Sequence, residues 1–138
     1  MAVKQISVFV ENKTGSLVQC TKLLSDEGVD LRAMSIADTR DFGILRIIAN
    51  DTYKAVNVLK NNGFVVNMAD VVGCIMEDKP GAVGELFAVL AENDIAIKYM
   101  YAFAGKKEAY AIFRVDDNAL CEKLLTSKGV KLLEAESL

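Results

Sequence analysis

Asp78-Lys79-Pro80-Gly81-Ala82-Val83-Gly84-Glu85-Leu86 follows a β-branched run and opens an apolar helical stripe. In the same setting 66 positions earlier stands Asn12-Lys13-Thr14-Gly15-Ser16-Leu17, so Gly15 falls on Gly81. The shift holds without a gap along the chain. Glu11 meets Glu77, Lys13 meets Lys79, Leu24 meets Leu90, Met34 meets Met100, Asp51 meets Asp117, Leu59 meets Leu125 and Gly63 meets Gly129. An internal repeat outranks other sequence signals, because overlooking it misassigns the whole fold. The chain is one small unit written twice, with predicted boundaries at 1–69 and 70–138.

Working outward from the repeated loop, the periodicity changes in a fixed order. Residues 3–10 and 70–76 are β-branched and apolar and read as strands. After the turn, Val83, Leu86, Phe87 and Leu90 sit at i, i+3, i+4 and i+7, with Leu17, Cys20, Thr21 and Leu24 as counterparts. Pro80 suits a first helical position, where a missing N–H costs nothing. Glu27-Gly28 and Asn93-Asp94 end these helices. Strands at 29–37 with 43–49, and 95–103 with 109–115, form hairpins around Asp38-Thr39-Arg40-Asp41 and Ala104-Gly105-Lys106-Lys107. Second helices are expected to start after Asn50-Asp51 and Asp116-Asp117, residue types that suit an N-cap, with inner faces of Ala55, Val58 and Leu59, against Cys121, Leu124 and Leu125. Gly63 and Gly129 cap their ends, and strands at 64–68 and 130–134 close each unit.

The predicted class is therefore α+β: two ferredoxin-like βαββαβ units in tandem, each with both helices on one face of a four-stranded sheet, the sheets joined side by side. Met68-Ala69-Asp70-Val71 passes from strand to strand with no Gly/Ser/Pro linker. In the third strands Leu45, Ile47 and Ala49, and Ala111, Phe113 and Val115, are expected to face the helices. The other face carries Ile44, Arg46 and Ile48, matched by Tyr110, Ile112 and Arg114, and is largely apolar. A face that is apolar where solvent is expected usually has a partner, which points to a homodimer.

Composition narrows the function. The 138 residues are 52% hydrophobic, contain no histidine and carry a net charge of −3 with signs interspersed. No basic footprint for nucleic acid is present, and no apolar run is long enough for a membrane span. Met1-Ala2-Val3-Lys4 leads directly into the first strand pattern, without a secretory signal. Cys20, Cys74 and Cys121 are odd in number and far apart, which argues for a reducing cytoplasm. Without histidine, Ser-His, Cys-His and His-metal centres are excluded. No phosphate-binding glycine motif occurs, and the carboxylates form no compelling acid–base pair. Neither first loop carries the arginine of an acylphosphatase-like site. No catalytic residue, metal or cofactor is predicted.

The repeated loop remains. Backbone N–H groups at a helix start, with the positive end of the helix dipole, suit a carboxylate, and glycine lets a ligand approach the main chain. A glycine-containing turn before a helix is often only a turn; recurrence in register is what raises it to a candidate.

Asp78-Lys79-Pro80-Gly81-Ala82-Val83-Gly84-Glu85-Leu86 followed by Ile95-Ala96-Ile97 resembles the signature of ACT domains, Asp-x-Pro-Gly before an apolar helix and an Ile-rich second strand. Asn12 to Leu17, followed by Val29 to Asp38, resembles it too, with Thr14 in place of proline. The resemblance covers the chain as two ACT units. It implies binding of a free amino acid at a seam between units, regulation of amino-acid metabolism, and pairing through second strands. Carried over by position, it implies ligand contacts from Asn12, Lys13, Thr14, Gly15, Ser16 and Leu17, and from Asp78, Gly81, Ala82 and Val83. The opposing walls would come from second strands: Tyr99, Met100 and Tyr101, matching Ala33, Met34 and Ser35. Tyr99 and Tyr101 share one face by alternation and could stack on a cyclic side chain. Thr14 keeps an N–H that Pro80 lacks, and Ser16 has a hydroxyl where Ala82 has a methyl, so the first loop is expected to bind better. The expected protein is a cytoplasmic, non-catalytic amino-acid sensor. It would act through its own assembly or on an enzyme or transcription factor in trans. The alternative is an ACT module that serves interaction alone.

Overall fold

The structure is a computed structural model describing residues 3–11, 14–38 and 41–134. Element order is β1 (Val3–Glu11), α1 (Ser16–Asp26), β2 (Leu31–Asp38), β3 (Phe42–Ala49), α2 (Thr52–Asn61), β4 (Val65–Glu77), α3 (Ala82–Glu92), β5 (Tyr99–Ala104), β6 (Glu108–Arg114), α4 (Asn118–Ser127) and β7 (Lys131–Leu132). The chain divides into two compact units: residues 4–69, and residues from 70 onward together with Val3. Residues 65–69 of β4 close the first unit and residues 70–77 open the second.

In the first unit β2, β3, β1 and β4 are neighbours in that order, with β2 at the edge. β1 and β3 pair antiparallel with Val8 opposite Leu45 and Ile6 opposite Ile47, which sets these four on one face. They form the core with Val10, Cys20, Leu24, Ala55 and Leu59. In the second unit β4 pairs with β6 and β7, and β5 is the edge strand on β6. Its core is Val72, Cys74, Leu86, Leu90, Ala111, Phe113, Val115, Cys121 and Leu125. The inward sets read from the third strands, Leu45, Ile47 and Ala49 with Ala111, Phe113 and Val115, are all buried.

The second helices start as read. Asp51 accepts a hydrogen bond from Lys54 N at 3.1 Å and Asp117 one from Leu120 N at 3.0 Å. Each satisfies an orphan donor and is worth about 1 kcal/mol.

Several expectations are corrected. Helices α1 and α3 present Ser16, Cys20 and Leu24, and Ala82, Leu86 and Leu90, to the sheet. This is an i, i+4, i+8 row, so Leu17 (41%) and Phe87 (40%) stay exposed. Pro80 precedes the cap residue Gly81 and is not the first helical residue. β5 begins at Tyr99 rather than 95. In the first unit Asn50 Oδ1 accepts from Asp30 N at 2.9 Å, whereas its counterpart Asp116 is engaged by Lys98 Nζ at 2.8 Å. β7 is only Lys131–Leu132, shorter than the expected 130–134. The face predicted to be open is covered in part: Ile48 is 3% and Ile112 0% exposed, whereas Ile44 and Tyr110 are half-buried. Hairpin residues Thr39 and Arg40 lie outside the described residues.

Candidate functional site

Gly15 and Gly81 are the N-caps of α1 and α3, at φ 93°, ψ −11° and φ 92°, ψ −12°. A residue with a Cβ is strained there, so glycine is what the two turns require. Among the described residues neither helix start receives a side-chain cap, in contrast to the aspartates on α2 and α4. Uncapped N–H groups and the dipole leave positive potential at both ends.

The two ends differ in what surrounds them. α1 has no acidic residue in its first turn, whereas α3 has Glu85. In the second loop Ala82 N donates to Lys79 O at 3.3 Å, and Lys79 Nζ pairs with Glu77 at 3.3 Å. The hydrogen bond and charge of Glu77, and then Glu85, raise the Lys79 pKa. The cation beside the second loop is thus already matched by carboxylates. Asn12 and Lys13 lie outside the described residues.

Each loop borders a pocket built within its own unit. The first, of about 370 Å³, is lined by Phe9, Val10 and Glu11 at the end of β1, Ser16 and Gln19 of α1, Phe42 at the start of β3, and residues 62–65 after α2. The second, of about 640 Å³, is lined by residues that include the counterpart of every one of these, from Ile75 for Phe9 and Ala82 for Ser16 to Gly129 for Gly63. The chemistry has diverged. Phe9, Phe42 and Phe64 line the first where Ile75, Glu108 and Val130 line the second, and Lys128 and Lys131 stand for Asn62 and Val65.

Of the residues singled out in the sequence, Ser16 lines the first pocket and Asp78 and Ala82 the second. Thr14, Gly15 and Leu17 lie beside the first pocket in sequence but do not line it, and Gly81 and Val83 stand likewise to the second. Met34 and Ser35 sit in edge strand β2, and Tyr99, Met100 and Tyr101 in edge strand β5; none lines these pockets. Tyr99 pairs with Arg114 and Tyr101 with Ile112, which places both tyrosines on one face and Met100, opposite Phe113, on the helix-bearing one. Sequence reasoning missed Phe9, Phe42, Asn62 and Phe64; the matched pair Gly63 and Gly129, whose turns border the pockets, was the available signal. Among the described residues, no group of three or more His, Cys, Asp or Glu side chains could hold a metal ion. No helix among them is long and apolar enough to cross a membrane.

A family profile described as an ACT domain pair matches residues 1–138. The chain belongs to the ACT domain pair family. A crystallised protein of Bacteroides thetaiotaomicron is 41% identical to this ACT pair, with 99% of this chain and 95% of that one covered and a TM-score of 0.95. The regulatory subunit of aspartate kinase from Thermus thermophilus, in its ligand-free form, shares the fold at 10% identity and a TM-score of 0.67, covering 90% and 91%. The alpha and beta subunits of an aspartokinase do so at 18% identity and a TM-score of 0.60, covering 98% and 93%. No curated protein matches the ACT pair in sequence.

Proposed function

We propose that this ACT pair is a non-catalytic regulatory protein that binds a free amino acid. Its carboxylate would rest on the start of α1, and an edge strand of another ACT unit would close the site. The observation that carries the reading is the helix start at Gly15, which has, among the described residues, neither a side-chain cap nor an acidic first turn. That a chain of the same fold is a regulatory subunit supports regulation at the level of architecture. The first loop is proposed as the better binder, because Glu85 opposes an anion at the second where Gln19 stands at the first.

A thermal-shift screen of the twenty amino acids tests it. A ligand at 100 times its dissociation constant adds about 2.7 kcal/mol, which is a readily measured rise in Tm. No shift with any of them would remove the sensing role and leave an interaction module.

Signalling would run through assembly. β2 is an edge strand with Met34 48% and Ile36 53% exposed, an apolar edge suited to a second copy. Light scattering should find a homodimer, and Met34→Glu with Ile36→Glu should release monomers. A wild-type monomer at micromolar concentration, with and without amino acid, would overturn this.

A further inference from the structure

We infer that the first-unit pocket takes the ligand's side chain, and that the ligand is therefore an amino acid with an apolar side chain. The inference rests on the amino-acid-binding function proposed above and adds the place and the chemical class.

Ser16 is 7% exposed, it lines the pocket, and its hydroxyl makes no hydrogen bond among the described residues. The hydroxyl is reachable from the pocket, where a ligand oxygen would accept its hydrogen bond. It stands at the uncapped start of α1. The same pocket is bordered by the end of α2, where Asn62 and Gly63 close the helix. One helix therefore presents its positive end and another its negative end to one space, the polarity a zwitterion needs. Asn62 Nδ2 is engaged with Val58 O at 2.8 Å, which leaves its Oδ1 as a further acceptor.

The remaining wall is aromatic. Phe9 and Phe42 meet edge to face at 5.4 Å between centroids, yet stay 37% and 38% exposed, and Phe64 joins them at the pocket. An edge-to-face pair open to solvent has apolar area still to bury, and a ligand side chain laid on it would bury it. At the equivalent positions in the second unit stand Ile75, Glu108 and Val130, and Lys131 replaces Val65. That pocket offers charge where the first offers rings, so the preference belongs to the first unit alone.

The test uses the full chain with L-phenylalanine, L-leucine, L-lysine and L-aspartate as probes, read by thermal shift and calorimetry. L-phenylalanine or L-leucine should bind, one per chain, at least tenfold more tightly than the charged pair. Phe42→Lys should weaken that binding at least tenfold, and Glu108→Lys in the second pocket should leave it unchanged. Nuclear Overhauser contacts between bound ligand and the Phe9 and Phe42 ring protons of the wild-type protein give the same answer should Phe42→Lys fold poorly. Tightest binding by lysine or aspartate would overturn the inference while sparing the proposed function. So would apolar binding that is indifferent to Phe42→Lys and shows no ring contacts. If none of the twenty amino acids binds, both fall together.

Discussion

A single backbone angle distinguishes the two repeats at the ends of their first helices. Gly28 lies at φ 74°, and the residue 66 positions on is Asp94, at φ 56°, the one non-glycine residue with positive φ among the described residues. A left-handed L-residue costs roughly 1–2 kcal/mol. Glycine would remove that strain but restore about 0.4–1 kcal/mol of freedom to the unfolded chain. Asp94→Gly should therefore stabilise by about 0.5 kcal/mol, read as a higher urea midpoint at an unchanged slope. A lower midpoint would show that the aspartate side chain serves the turn. Gly15 follows the same logic: a Cβ there would meet nothing within 4 Å, so a substitution acts through its φ of 93°. Gly15→Val is therefore a strained variant and no clean block on ligand approach. Ser16→Ala is the better probe of that loop.

Among the elements, β4 is the one whose sequence hides a packing constraint. Gly73 sits mid-strand, and a Cβ on it would lie 3.0 Å from Leu133 Cβ and 3.3 Å from Val3 Cγ2. The approach is held by Leu133 N donating to Gly73 O at 2.7 Å. Gly73→Val should destabilise by about 1–3 kcal/mol through overpacking. Ser7→Val, at the matching place in β1, should change stability by less than about 0.5 kcal/mol. Equal effects in urea denaturation would mean the contact is not what keeps position 73 small. The strand pattern of residues 70–76 was plain from β-branching. The reason for its glycine was not, because Leu133 stands 60 positions away in sequence.

At the scale of the molecule, the buried thiols govern how stability depends on pH. Cys20, Cys74 and Cys121 are fully buried, and desolvation pushes each up to about 11. A folded pKa above the unfolded value of 9.0 means this contribution is complete below pH 9 and is lost as pH rises from there toward 11. The exposed Asp116 is lowered by its hydrogen bond to Lys98, so its small contribution is present at neutral pH and lost in acid. With no histidine in the chain, stability should be flat from about pH 5 to pH 8 and fall above about pH 9. Urea midpoints across that range check it, and Cys20→Ala should flatten the alkaline limb. A thiol reagent should react only as fast as the protein opens; immediate labelling of the native state would contradict the burial of all three.

What the sequence determined by itself was local or repeated: the element order, the aspartate caps, the paired glycine turns, the inward faces of the third strands and the family. Each rests on interactions within a few residues or on a periodicity that the repeat states twice. Tertiary structure decided which way each surface turned. A helical stripe of apolar residues leaves the rotation of the helix open by a position, and the sheet resolved it toward the row of Ser16, Cys20 and Leu24, leaving Leu17 and Phe87 in solvent. Ile48 and Ile112 read as surface because strand alternation names a face without saying whether that face is covered. The pocket needed the most distant convergence, since the end of β1, the start of α1 and the turn after α2 meet only once the sheet and helices have packed.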